Sequence, residues 1–121
     1  IPTIHNVYII DASGSMAGAK IKSAISGINS EIEELAKVKG VNYRQTIVSF
    51  SGQNDIVVKY LGVPIGKMTK YRDKARDMTA LLDAIGYTFA RVNTIKEPED
   101  KVLIKIFTDK FVVPVLLKKA A

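Results

Sequence analysis

The sequence predicts an open α/β fold, with a mostly parallel sheet, one antiparallel edge hairpin strand and helices on both faces. Short apolar runs that end at polar or glycine-containing turns, typical of strands, alternate with two longer segments typical of amphipathic helices. Their order along the 121 residues is β-α-β-β-α-β, which requires at least one right-handed parallel crossover. A chain of this length forms one domain.

Each element is predicted from its own pattern. A continuous apolar run at residues 7–10 is typical of a central strand buried on both faces. Apolar residues at three- and four-residue steps predict helices over residues 20–38 and 80–92. Residues 43–50 and 55–61 are rich in β-formers and predict a hairpin connected by residues 51–54, and a last apolar run predicts a strand at residues 102–107. Residues 62–70 predict a loop.

The composition excludes several kinds of site. The chain has no cysteine, so a disulfide, a thiolate metal site and a thiol nucleophile are impossible. No apolar run approaches the roughly eighteen residues that span a bilayer, and the first residues lack a signal-peptide pattern. We therefore expect a cytoplasmic protein without a membrane partner.

Three oxygen-bearing side chains follow the first strand. Asp11, Ser13 and Ser15 alternate, so an extended backbone would point them to one side, and Gly14 would allow a tight bend. Ligands of open α/β sheets bind beyond the carboxyl ends of the strands, and hard oxygen donors suit Mg²⁺, Mn²⁺ or Ca²⁺. The alternative is that these side chains only satisfy the backbone of a loop.

The hexapeptide 11–16, Asp-Ala-Ser-Gly-Ser-Met, resembles the metal-ion-dependent adhesion site of von Willebrand factor type A (VWA) domains. That signature reads Asp-x-Ser-x-Ser, then a distant Thr before a helix and a distant Asp after a strand. Thr79, followed by Ala-Leu-Leu-Asp-Ala-Ile, matches the second part, and Asp109 matches the third. Lys110 departs from the pattern, because most relatives have Gly there, and Thr79 could instead be a simple helix N-cap.

The resemblance implies a Rossmann-like VWA fold over residues 1–109 that lacks its last elements. It implies one cation, Mg²⁺ or else Mn²⁺ or Ca²⁺, held by Asp11, Ser13, Ser15, Thr79 and Asp109. The serines and Thr79 would ligate directly, and the two aspartates would ligate or hold bound waters. The implied function is a metal-dependent protein–protein interaction module that grips an acidic side chain of a partner and is not an enzyme.

Residues 110–121 form an apolar tail that the family pattern does not explain. A further parallel strand would need a crossover of a dozen or more residues, and the tail is too short for one. We expect it to prolong the preceding strand, to pack as an extended cap or to be disordered, with Pro114 interrupting any regular ladder. The last strand would then be an exposed edge through which two copies could associate.

Two other functions stay open from the sequence. A Mg²⁺-dependent phosphatase could use Asp11 as its nucleophile, although Ser13 stands where that chemistry needs a second aspartate. A nucleic-acid-binding domain could use the basic second half, because residues 59–121 carry the whole net charge of +6, including the basic segment 67–76. His5, the only histidine, lies at the wrong end of its strand for a catalytic triad with either serine, and we expect it at the surface or at the strand end.

Overall fold

The computed structural model describes residues 1–52, 55–74, 81–108 and 114–117. Its strands are β1 (Thr3–Asp11), β2 (Asn42–Gly52), β3 (Asp55–Pro64), β4 (Lys101–Phe107) and β5 (Pro114–Leu117). Its helices are α1 (Ala19–Leu35) and α2 (Leu81–Ile95), with short 3-10 turns at Gly14–Met16 and Ile65–Lys67. Neither helix in this described part of the chain is long and apolar enough to cross a membrane.

The five strands form one sheet in the order β3-β2-β1-β4-β5. The central strand β1 pairs in parallel with β2 on one side and with β4 on the other. Strand β3 pairs antiparallel with β2 as the predicted edge hairpin strand, and β5 pairs antiparallel with β4 at the opposite edge. The predicted α/β class is confirmed, with the parallel strands at the centre of the sheet.

The two helices cover opposite faces of the sheet, as predicted. Alternate residues of β1 point to opposite faces, and Val7 and Ile9 pack in one core cluster with the α2 residues Ala84 and Val92. Their neighbours Tyr8 and Ile10 pack in a second cluster with the α1 residues Ile28 and Ile32. Because both faces are covered, every residue of β1 from 5 to 11 is buried.

The described part of the apolar tail is an edge strand. Strand β5 runs back along β4 from Lys105, opposite Pro114, to Val102, opposite Leu117. An antiparallel return needs only a short connection, unlike a parallel crossover, and Pro114 is tolerated because it is the first residue of the strand. The expectation that β4 would be an exposed edge is therefore wrong, since β5 pairs with it.

A chain of polar side chains lies under α1, and the sequence patterns did not predict it. The Asn6 amide donates to the Tyr8 hydroxyl at 2.8 Å and to the Gln45 side-chain oxygen at 2.9 Å. Tyr8 in turn donates to Glu31 of α1 at 2.7 Å, and Lys105 of β4 also bonds to Glu31. Burial raises the pKa of Tyr8 to about 12, so the hydroxyl stays protonated and ties the central strand to the helix.

Candidate metal centre

Asp11 is the last residue of β1, at the carboxyl edge of the sheet. The register places Phe50 of β2 opposite Asp11, and Phe107 of β4 opposite the preceding residue. The Asp11 side chain is fully buried. One carboxylate oxygen, Oδ1, accepts the Ser13 amide at 2.9 Å, and Oδ2 accepts the Thr108 hydroxyl at 2.7 Å.

Ser15 lies on a single turn of 3-10 helix, Gly14–Met16, and Ser13 is the residue before it. Ser13 precedes the turn and its carbonyl accepts the Met16 amide at 2.9 Å. The hydroxyl oxygens of Ser13 and Ser15 are 3.1 Å apart. Buried Met16 packs with Ala12 and anchors the turn to the core. Since Ser13 is buried and Ser15 is exposed, the pair leads from the protein interior to the surface.

The expected role of Gly14 needs a correction. Among the described residues the glycines with positive φ are Gly18, Gly40 and Gly62, and Gly14 is not one of them. The bend after Ser13 is made by 3-10 hydrogen bonding, in which the Gly14 carbonyl accepts the Ala17 amide at 3.1 Å. This turn is open to residues other than glycine.

The electrostatics of the site centre on Asp11. Within the described residues its partners are the neutral amide of Ser13 and the neutral hydroxyl of Thr108, and no cationic side chain pairs with it. An ionised carboxylate that is removed from water is costly unless a positive charge compensates it. A cation bound beside Asp11 would supply that compensating charge.

The described donor set fits a hard cation. Magnesium binds oxygen at about 2.0–2.1 Å with octahedral geometry, so neighbouring ligands lie about 2.9 Å apart. The 3.1 Å separation of the Ser13 and Ser15 oxygens is close to that spacing. A carboxylate with two hydroxyls is also the ligand chemistry that Mg²⁺, Mn²⁺ and Ca²⁺ prefer.

Two of the five predicted ligands, Thr79 and Asp109, lie outside the described residues. Within the part of the chain that is described, no group of three or more His, Cys, Asp or Glu side chains is placed to hold a metal. Asp11 is the carboxylate of the site there, and Ser13 and Ser15 are the hydroxyls beside it. The approach of the two hydroxyls depends on residues 13–16 alone.

Sequence reasoning missed Thr108. Its hydroxyl reaches Asp11 because the parallel register of β1 and β4 ends both strands at the same level. The available signal was its position as the first residue after the last predicted strand. Thr108 also immediately precedes Asp109 in the sequence.

His5 is far from this edge, at the start of β1, as expected for the strand end. It is buried rather than at the surface, and its Nε2 lies 3.1 Å from Asp100 Oδ2. Burial lowers the pKa of His5, although the hydrogen bond to Asp100 and the negative charge of Asp100 act to raise it. The neutral ring then donates from Nε2 to the carboxylate, and Nδ1 is a buried acceptor without a partner among the described atoms.

No protein-family model matches the chain, and comparison with curated proteins and with solved structures gives no significant match. The interpretation of the site therefore rests on its own geometry and on the sequence motif.

Proposed function

We propose that this domain is a divalent-metal-dependent protein–protein interaction module of the VWA type, which grips an acidic group of a partner protein. The observation that carries the proposal is the buried carboxylate of Asp11, which has neutral partners among the described residues. It accepts the amide of Ser13, whose hydroxyl lies 3.1 Å from that of Ser15. The parallel central strands and the two covering helices supply the architecture that the motif requires.

The buried and the exposed side chains have different roles in the proposed site. Asp11 supplies negative charge from the interior, and its orientation is fixed by the Ser13 amide and the Thr108 hydroxyl. Ser13 and Ser15 supply neutral oxygen ligands without cancelling the charge of the ion. The bound ion, Mg²⁺ or else Mn²⁺ or Ca²⁺, would offer a coordination position to a carboxylate of the partner.

The sequence adds Thr79 and Asp109 to the proposed ligand set. Asp109 directly follows Thr108, whose hydroxyl already contacts Asp11, and this supports its assignment. Two carboxylates would neutralise a dication, and three hydroxyls would add ligands without further charge, which leaves one of six octahedral positions for the partner. Exposed Ser15 marks the side from which the partner approaches.

The proposal includes a cytoplasmic location and the absence of catalytic turnover. A chain without cysteine suits a reducing compartment. Asp11 is fully buried and both of its oxygens accept hydrogen bonds, so it is poorly placed for attack on a phosphate ester. An aryl-phosphate assay with Mg²⁺ should show no turnover, and turnover abolished in Asp11→Asn would overturn this part of the proposal.

Isothermal titration of Mg²⁺ and Mn²⁺ tests the metal site. We expect binding at a single site in the unaltered protein, no binding in Asp11→Ala and weakened binding in Ser13→Ala. Ser23→Ala is the matched control, because Ser23 is an exposed serine on α1 that plays no part in the site. Undiminished binding in Asp11→Ala would refute the assignment.

A further inference from the structure

A groove runs along the outer side of α1, between that helix and residues 65–70. It consists of two adjoining pockets of about 380 and 340 Å³, which share Asn29, Glu33 and Lys70. Its floor is aliphatic, because Ile25 and Met68 line the groove while they pack against the core cluster beneath α1. The groove offers both apolar surface and charged walls.

The walls of the groove are held in place without a ligand. The Asn29 side chain makes a double hydrogen bond with the backbone of Tyr71, donating to its carbonyl and accepting from its amide, each at 3.0 Å. The Tyr71 side chain is buried in the core. A further hydrogen bond, 2.7 Å long, links the hydroxyls of Tyr60 and Thr69. A preformed groove avoids much of the entropic cost of ordering its walls on binding.

The charges along the groove are uneven and unpaired. Lys22 and Lys70 are exposed and line it, and Glu33 lines both pockets, as Lys70 does. Within the described residues none of the three takes part in an ion pair. Two free ammonium groups against one carboxylate favour an acidic ligand, with its acidic residues toward Lys22 and Lys70.

The groove and the serine turn share a packing residue, Ile25. Ile25 lines the groove and also packs against Ala12, Met16 and Ile21, the cluster that anchors the serine turn. Lys22 lies in the first turn of α1, only seven positions after Ser15 in the sequence. The N-terminal turns of α1 therefore contact the serine turn and also line the groove.

We infer that the groove binds an extended segment of the partner protein in which acidic and apolar residues alternate. This inference rests on the proposed function, since the same partner would supply the carboxylate at the metal. From Lys22 to its last residue, Leu35, the helix is about 20 Å long, at about 1.5 Å per residue. About six residues of extended chain, at about 3.3 Å each, span that length. Acidic side chains lie against Lys22 and Lys70, and apolar ones lie on the floor formed by Ile25 and Met68.

The lining of the groove favours a peptide over nucleic acid. None of the described lining residues is aromatic, whereas proteins that bind single strands commonly stack bases on aromatic rings. A fluorescent oligothymidylate therefore serves as the competing probe in the test.

The test uses a fluorescein-labelled hexapeptide of alternating glutamate and leucine, with a glutamine–leucine peptide as the uncharged comparison. Anisotropy titrations at about 50 mM salt, where surface charges are weakly screened, are done in EDTA and in Mg²⁺. The double variant Lys22→Glu/Lys70→Glu removes the basic walls. Its matched control, Lys39→Glu/Lys59→Glu, changes the net charge equally at exposed positions outside the groove.

We expect the acidic peptide to bind in EDTA and its Kd to rise about tenfold in the Lys22→Glu/Lys70→Glu variant, since two modest attractions become repulsions. The matched control should change the Kd less than twofold. Amide chemical shifts of the protein should move along α1 and residues 65–71. Equal affinity for both peptides, equal effects of the two double variants, or tighter binding of the oligothymidylate would each overturn the inference.

The metal proposal and the groove inference fail separately in this design. Binding that needs Mg²⁺ and Asp11 but ignores Lys22 and Lys70 would refute the groove and retain the metal site. Binding that depends on the two lysines, unchanged by EDTA and by Asp11→Asn, would retain the groove and count against the metal bridge.

Discussion

Replacing Asp11 with asparagine separates the metal-binding role of this side chain from its structural role. Asparagine has the same shape and can keep both hydrogen bonds, because Oδ1 can accept the Ser13 amide while Nδ2 donates to the Thr108 hydroxyl, which rotates to accept. The substitution removes a fully buried negative charge. Without metal, the free energy of unfolding of Asp11→Asn should therefore equal or exceed that of the unaltered protein.

In the presence of Mg²⁺ the unaltered protein should be more stable than Asp11→Asn. A ligand that binds only the folded state at one hundred times its Kd stabilises it by about 2.7 kcal/mol. For a domain of this size that corresponds to about 10 °C in Tm, at roughly 4 °C per kcal/mol. The unaltered protein should gain this increment from Mg²⁺, and Asp11→Asn should gain none, because its side chain carries no charge to hold the ion.

Differential scanning calorimetry with Mg²⁺ and with EDTA measures both quantities. Asp100→Asn is the matched control, since Asp100 is a buried carboxylate at the opposite end of the sheet and its loss should leave the Mg²⁺ increment intact. Equal Mg²⁺ increments in the unaltered protein and in Asp11→Asn would refute the reasoning. A large loss of stability of Asp11→Asn in EDTA would show that the carboxylate stabilises the fold without metal, and it would contradict the first half of the prediction.

Three further predictions concern the rest of the fold. Glu31→Ala should lower the free energy of unfolding by about 2 kcal/mol in urea titrations, because the buried Tyr8 hydroxyl loses its acceptor; a change below about 0.5 kcal/mol would contradict this. Because the pKa of His5 is lowered in the folded protein, the unfolded chain binds a proton at a higher pH than the folded protein does. Stability should therefore fall as the pH drops below about 6.5 and level off below the folded pKa, and a His5→Gln variant that keeps the same pH profile would count against that origin. Gly62→Ala should destabilise the fold by about 1–2 kcal/mol, since φ is +60° and the added Cβ would lie 2.7 Å from a side-chain carbon of α2; an unchanged Tm would show that the strand end relaxes.

The positions of the helices and strands could be predicted because apolar spacing directly reports which face of an element is buried. Helix α1 was predicted at residues 20–38 and lies at Ala19–Leu35, and β4 was predicted at 102–107 and lies at Lys101–Phe107. The start of β1 was missed, since buried Asn6 gives no apolar signal. Its partner Gln45 is 39 residues away, and no local pattern identifies such a pair.

In the candidate site, too, the local contact could be predicted from the sequence and the long-range contact could not. The approach of Ser13 to Ser15 follows from one local turn, so a short motif suffices to predict it. The Thr108 bond to Asp11 spans 97 residues and depends on the register of β1 against β4. Chain order predicts that these two strand ends share one edge, but not which hydroxyl meets the carboxylate.

A crystal structure grown with Mn²⁺ tests the central claim most directly, because the anomalous signal of manganese locates the ion without reference to the protein. The account predicts one strong peak at about 2.2 Å from the hydroxyl oxygens of Ser13 and Ser15, on the carboxyl edge of the sheet. It also predicts no peak there in crystals of Asp11→Ala. Ordered density for both serines with no anomalous peak beside them, at a Mn²⁺ concentration that saturates binding in solution, would contradict it.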